Sequence, residues 1–302
     1  MKFIRLNIAL SLFCFSTYAA AQDQHVSACY KALEGGKATE ALTHADQALT
    51  ADKNNREALL CKGRSHTELK QYNEGVAALQ TADKLSAKPI ERVVPLWLIG
   101  NAHRDAGQQD QAMESYQQAR AAAQAQKDTT LERLSLNLIG ETQVGAGQLD
   151  KGLQTFVEAS ELASNDTERG ENYVQIASTH SKLGNHDKAV EYQVKAMLMK
   201  QREGERDQYA HAGLELGRYY TAAKDYVQAE NAINKIAKFA RDNGSAYWEA
   251  RANYYLGATK SAQGQPDEAR AIVQKAHQTA RRIGATALAD EIGNAMLNLP
   301  AS

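Results

Sequence analysis

Proline is nearly missing from this chain, with 4 residues in 302, and phenylalanine (5), tryptophan (2) and cysteine (3) are scarce as well. So little proline leaves helices uninterrupted, because a proline inside a helix removes a hydrogen bond and clashes with the preceding turn. Three cysteines, none in a Cys-x2-Cys pair, exclude a disulfide-framework fold and a thiolate zinc centre. The eight histidines include no His-x3-His spacing, so no zinc site of that kind is built either, and no metal or other cofactor is implied. No Gly-x-Ser-x-Gly elbow occurs, and no Gly-Lys-Ser/Thr closes a phosphate-binding loop. Dinucleotide folds alternate strands with helices, and no β-rich run separates the helical segments here. An enzyme is therefore not expected, since function must be argued from a site and no catalytic constellation stands out.

Charge of one sign is missing too. Lys and Arg number 35 against 36 Asp and Glu, with no basic tract. Nucleic-acid binding rests on many phosphate contacts by Lys and Arg, so no nucleic-acid partner is expected.

The N-terminus is set apart. Lys2 and Arg5 precede a mostly apolar stretch from Leu6 to Phe15, and Thr17 to Ala21 ends in small residues. This is the layout of a secretory signal peptide over residues 1–21, with Ala19-x-Ala21 as the cleavage site. The apolar stretch falls short of the ~20 residues that span a bilayer, and no transmembrane segment is expected in the mature chain. Cys14 follows Phe13 and is poorly placed for lipid attachment. The expected location is periplasmic or secreted, with 33 basic and 36 acidic residues once Lys2 and Arg5 are removed, a net charge of −3.

What is abundant is alanine, glutamine and leucine, all good helix formers. They recur in register. Leu96 to Ala119 aligned on Leu136 to Ala159 matches at nine of 24 positions without a gap. Seven such units fit, beginning at Gln22, Arg56, Val93, Arg133, Gly170, Ala210 and Ala250. The eighth position of the unit is small (Cys29, Gly63, Gly100, Gly140, Ala177, Gly217, Gly257), which lets two helices approach closely. The twentieth is Ala or Gly, and the twenty-seventh is Ala except at Ile236. Leu79, Tyr116, Phe156 and Val273 sit between as fillers. The fifteenth is often Gly (Gly36, Gly107, Gly147, Gly184, Gly264), which ends a helix in the left-handed conformation at little cost. His66, His103 and His180 share position eleven, where they stand in for an aromatic ring.

This pattern resembles the tetratricopeptide repeat family, in a form with extended repeats of 34 to 40 residues. The resemblance implies an all-α, right-handed superhelical solenoid of about seven helix–turn–helix units over residues 22–282, with no second domain. Residues 283–302 supply a capping helix and tail, since the last unit would otherwise expose its apolar face. It also implies a concave groove lined by first helices, at positions 2, 5, 6, 9, 12 and 13. Carried onto this chain, the groove candidates are Tyr30, Leu60, Arg64, Trp97, Asn101, Arg104, Asn137, Glu141, Arg218 and Tyr254. Of these, Leu60, Arg64, Trp97, Asn101, Arg104 and Asn137 form the patch favoured most. Trp, Tyr and Arg are enriched at binding hot spots, and Asn can match both halves of a peptide bond. The carboxylate clamp of one family subclass is missing, because Val26, Tyr30, Cys61, Val94 and Leu98 occupy its positions. The same placement sets Cys29 at a packed position and Cys61 on the groove side, which argues against a disulfide although an oxidising compartment permits one.

The reading is a scaffold that binds a protein or peptide partner of unknown identity, in envelope assembly, secretion or cell-wall regulation. A periplasmic small-ligand receptor is the alternative, and self-association into a homo-oligomer stays open.

Overall fold

A computed structural model describes residues 24–203 and 206–297, without the side chains of residues 200–203. The expected signal peptide and its cleavage site at Ala21 lie outside the described residues, as does the tail after Leu297. Among the described residues there is no strand.

The chain divides into two compact units, one ending at Gly147 and the other beginning at Gln148. The division falls between the two helices of the fourth repeat. The first unit holds α1 (residues 24–34), α2 (Ala38–Ala51), α3 (Arg56–Glu68), α4 (Tyr72–Lys84), α5 (Val93–Asp105), α6 (Gln109–Ala125) and α7 (Thr129–Gly145), with a 3-10 turn at Pro89–Arg92. The second holds α8 (Leu149–Glu161), α9 (Asp166–Lys182), α10 (His186–Glu203), α11 (Arg206–Ala222), α12 (Tyr226–Asp242), α13 (Ala246–Ala262), α14 (Pro266–Arg282) and α15 (Thr286–Leu297). From α1 to α13 the odd-numbered helices are the first helices of their repeats. Within each unit, helices adjacent in sequence pack on one another, and α3–α5, α5–α7, α9–α11 and α11–α13 also touch directly. First helices thus stand side by side and present one face of the unit.

The recurring small residues cause this packing. A Cβ built on Gly63, Gly100, Gly217 or Gly257 would come within 2.4 Å or less of Leu79, Tyr116, Ile233 or Val273, respectively. Each of these is the residue sixteen further on, across the hairpin. The large side chain of the second helix fills the space that a glycine leaves on the first, and all four are buried. In the first repeat the sizes are exchanged: Ala45 stands on the second helix and Cys29 on the first, both fully buried. The exception at position 27 has a partner of its own. Ile236 is buried because Gly213, where other units carry Leu59, Leu96 or Leu136, leaves room for it; a Cβ there would lie 2.4 Å from Ile236 Cδ1.

The fifteenth position has positive φ in all seven repeats, including Lys70 (60°) and Lys224 (62°) as well as the five glycines. Its conformation closes the first helix: Gln71 N–H donates back to His66 C=O at 2.8 Å, five residues earlier, and Gln108 N–H to His103 C=O at 2.8 Å. His66 and His103 are half-buried at these turns and pair with Gln71 and Gln108, at 2.7 and 2.6 Å. His180 instead stacks on Tyr192, with ring centroids 5.7 Å apart. Side-chain caps start several helices, with Asn55, Asp128, Asn165, Asp225 and Ser245 accepting backbone N–H groups. At the C-terminal end, Leu288, Ala289 and Ile292 of α15 bury themselves with Val273, Ala276 and Ala280 of α14, as a capping helix should.

One expectation is overturned. Cys29 and Cys61 form a disulfide, with Cα atoms 6.4 Å apart. The repeat frame placed Cys61 on the open side of α3. In the structure Cys61 is fully buried and turned toward α1, in a cluster with Cys29, Ala32, Leu33, Ala41 and Ala45. The small residues of the first hairpin leave the two sulfurs a shared space.

Candidate functional site

In the first unit, the first-helix face carries a hollow of roughly 480 Å³ lined by Arg64, Thr67, Glu68, Lys70, Tyr72, Leu98, Asn101 and Asp105. Arg64 and Asn101, two of the expected residues, meet here. The Arg64 guanidinium lies 5.8 Å from the centre of the Tyr30 ring. Tyr30 in turn donates to the Glu57 carboxylate at 3.3 Å. Burial, reinforced by Glu57, pushes the Tyr30 phenol up to about 12, so it remains a neutral donor. Asn101 accepts from the Tyr116 hydroxyl at 2.7 Å, which fixes its amide at the hollow's edge. Arg104 reaches across from α5 to Glu141 of α7 at 3.5 Å, and Asn137 is half-buried one turn earlier on α7.

Two expected residues of this unit are drawn into packing, Leu60 wholly and Trp97 in part. Leu60 is 3% exposed and packs with Leu59, Leu79 and Ile99, because position five of α3 turns into the layer between hairpins. Trp97 is half-buried against two clusters, with Leu96 and Ala119 on one side and Tyr116 and Ile139 on the other. Its indole N–H donates to Ser135 Oγ at 2.9 Å, tying α5 to α7. Trp97 is therefore a structural bolt between first helices rather than an exposed anchor.

In the second unit, Arg218 donates to Glu215 at 2.7 and 2.9 Å and lies 4.5 Å from the centre of the Tyr219 ring. Glu215 also accepts from the Tyr255 hydroxyl at 2.8 Å, so one carboxylate joins α11 to α13. Burial, together with Glu215, raises the Tyr255 phenol well above the ordinary tyrosine range. Tyr254 packs beside the cluster of Ala250, Val273, Leu288 and Ile292, edge-on to Tyr255.

A hollow on the first helices of this unit lies elsewhere, and the repeat frame did not pick it out. It measures roughly 440 Å³ and is lined by Glu171, Val174, Gln175, Asp207, Gln208, His211, Ala212 and Trp248, from three neighbouring first helices. Trp248 N–H donates to Asp207 at 2.6 Å. Asp207 and Trp248 precede the first position of their repeats. The signal was in the spacings: where repeats lengthen to 40 residues, α11 and α13 begin four residues before the frame does, and each runs for 17 residues against 13 in α3.

The tetratricopeptide repeat pattern matches residues 168–242 and, separately, residues 95–123. No curated protein matches the chain. Among solved structures, one similar protein is a Signal Transduction ATPase with Numerous Domains carrying a tetratricopeptide repeat sensor, from Pyrococcus horikoshii; it has a TM-score of 0.69 and 16% identity, over 90% of this chain and 44% of that one. Aspartyl phosphate phosphatase F from Bacillus subtilis is similar with a TM-score of 0.60 and 20% identity, over 87% of this chain and 71% of that one. A Rap protein complexed with Competence and Sporulation Factor gives 0.52 and 12%, over 94% and 97%. Identities this low speak for the fold alone. The family pattern at residues 95–123 and 168–242, and the left-handed position that recurs in register through all seven units, show that the chain carries tetratricopeptide repeats.

Proposed function

We propose that this protein is an exported, non-enzymatic scaffold that holds a polypeptide partner on the first-helix faces of its repeats, in the assembly, secretion or wall-regulating work of a cell envelope. The observation that carries the reading is that each unit has a hollow on its first helices, closed in the first unit also by Lys70 and Tyr72 of the following turn and α4, and that both mix apolar or aromatic walls with polar groups. Surfaces that only meet water have no need of such walls. The Cys29–Cys61 disulfide supports export, because such bonds persist in oxidising compartments, and it agrees with the signal-peptide layout of residues 1–21. The fold is one that can carry a bound factor, as the complex of a Rap protein with Competence and Sporulation Factor illustrates.

The volumes of the hollows, roughly 480 and 440 Å³, also fall in the range of small-ligand sites, which keeps a metabolite receptor as the second reading. Two screens on the purified mature protein separate them. The scaffold reading expects retention of peptides from a random displayed library and a flat thermal-shift profile across metabolites. A metabolite that raises the melting temperature by several degrees, with no peptide retained, would reverse the assignment.

A further inference from the structure

The second-unit hollow has a one-sided chemistry. Its described lining includes two carboxylates, Glu171 and Asp207, and no lysine or arginine. Its walls are otherwise Val174, Ala212 and the Trp248 indole, with His211 edge-on to that ring at 6.5 Å. Two basic groups further along α11 and α13 are engaged elsewhere, Arg218 with Glu215, and Arg251 with Tyr247 and Glu291, while Arg206 adjoins Asp207 at the start of α11. The first-unit hollow, by contrast, already contains Arg64 and Lys70 beside Glu68 and Asp105.

We infer that the hollow formed by Glu171, Val174, Asp207, His211, Ala212 and Trp248 is a subsite for the side chain of an arginine or lysine in the bound polypeptide. The inference rests on the scaffold reading above and names the chemistry of one contact within it. A basic side chain combines a methylene stem with a charged head, and this hollow offers an apolar wall for the stem and carboxylates for the head. The indole adds a cation–π surface, and the hydrogen bond from its N–H to Asp207 leaves the ring richer in electrons. Arginine suits the site better than lysine, since a planar guanidinium both stacks on a ring and pairs with a carboxylate through two N–H groups.

The test is a selection from a random peptide library on the full mature protein and on its Glu171→Gln/Asp207→Asn variant, followed by affinity measurements on one selected peptide. The expected pool on the unaltered protein is enriched in Arg and Lys at one position, and the variant loses that enrichment. Replacing that Arg by citrulline, which keeps the shape and removes the charge, is expected to weaken binding to the unaltered protein by about tenfold or more. This second comparison needs no folded variant. Peptides selected without basic enrichment, enrichment that survives in the double variant, or a citrulline peptide that binds equally well would each overturn the subsite while leaving peptide binding standing. A library from which nothing is retained would overturn the subsite and the scaffold reading together.

Discussion

The two units use the same hairpin and finish its first-helix face differently. In the first unit the hollow holds both signs of charge, and a disulfide ties α1 to α3. In the second unit there is no cysteine; nine of the chain's 13 tyrosines lie after Gln148, together with Trp248, and the hollow is apolar with acidic groups. Part of the difference traces to helix length. α3 and α5 have 13 residues, whereas α7 in the first unit and α9, α11 and α13 in the second have 17, and the extra first turns of α11 and α13 bring Asp207 and Trp248 to the hollow. Extra helix at that end is where the second unit places its site.

Removing the disulfide should break the comparison most strongly. Cys29 and Cys61 are 32 residues apart, and the loop-closure estimate for that separation is about 3–4 kcal/mol. Cys29→Ser/Cys61→Ser is therefore expected to weaken protection of α1 and α2 in hydrogen exchange, with little change in α11 to α14. Trp97 and His211 make the next test. Trp97→Ala empties space between α5 and α7 and is expected to cost roughly 2–3 kcal/mol in denaturant unfolding, somewhat below the range for a fully buried Trp. His211→Ala, on an exposed lining residue, should stay within about 0.5 kcal/mol of the parent. Equal losses at both sites would remove the distinction between bolt and surface.

A smaller effect is shared by both units. Lys70 and Lys224 adopt the left-handed conformation that glycine takes at the same place in the other five repeats. Lys70→Gly and Lys224→Gly should each stabilise by about 1 kcal/mol, in one unit apiece, which a shift in the denaturant midpoint would register. The remaining effect is in alkali. Burial raises the phenols of Tyr30 and Tyr116 to about 12, against an unfolded value of 10.0. Since the folded values are the higher ones, the stabilising contribution is complete below pH 10 and is lost as pH rises from about 10 to about 12. Absorbance titration of phenolate should show these tyrosines ionising after the exposed ones, and stability falling over that interval.

How much of this was legible in the sequence follows from what each position encodes. Glycine and alanine at fixed offsets report how closely two helices approach, a property the chain carries locally, so the repeats, their turns and the capping helix could be read directly. Lys70 and Lys224 show the limit: nothing in a lysine announces a left-handed turn, and only its place in the register does. The face was less legible. Leu60 and Cys61 occupy positions that point outward in a regular repeat, but the small side chains of the first hairpin draw Cys61 inward, and Leu60 follows into the next layer. Trp97 looked like an anchor because its partner, Ser135, is 38 residues away in sequence. Trp248 and Asp207 were missed because they precede the frame.

The central claim is that first-helix faces hold the partner. A photo-crosslinking amino acid placed at Arg64, at His211 and at Val227 in the protein expressed in its own cells tests it most directly. Arg64 and His211 belong to the two hollows, while Val227, 70% exposed, lies on the second helix α12. Crosslinks to a polypeptide from Arg64 and His211, with none from Val227, are the expected result. Crosslinks from Val227 alone, or at equal yield from all three, would contradict the account.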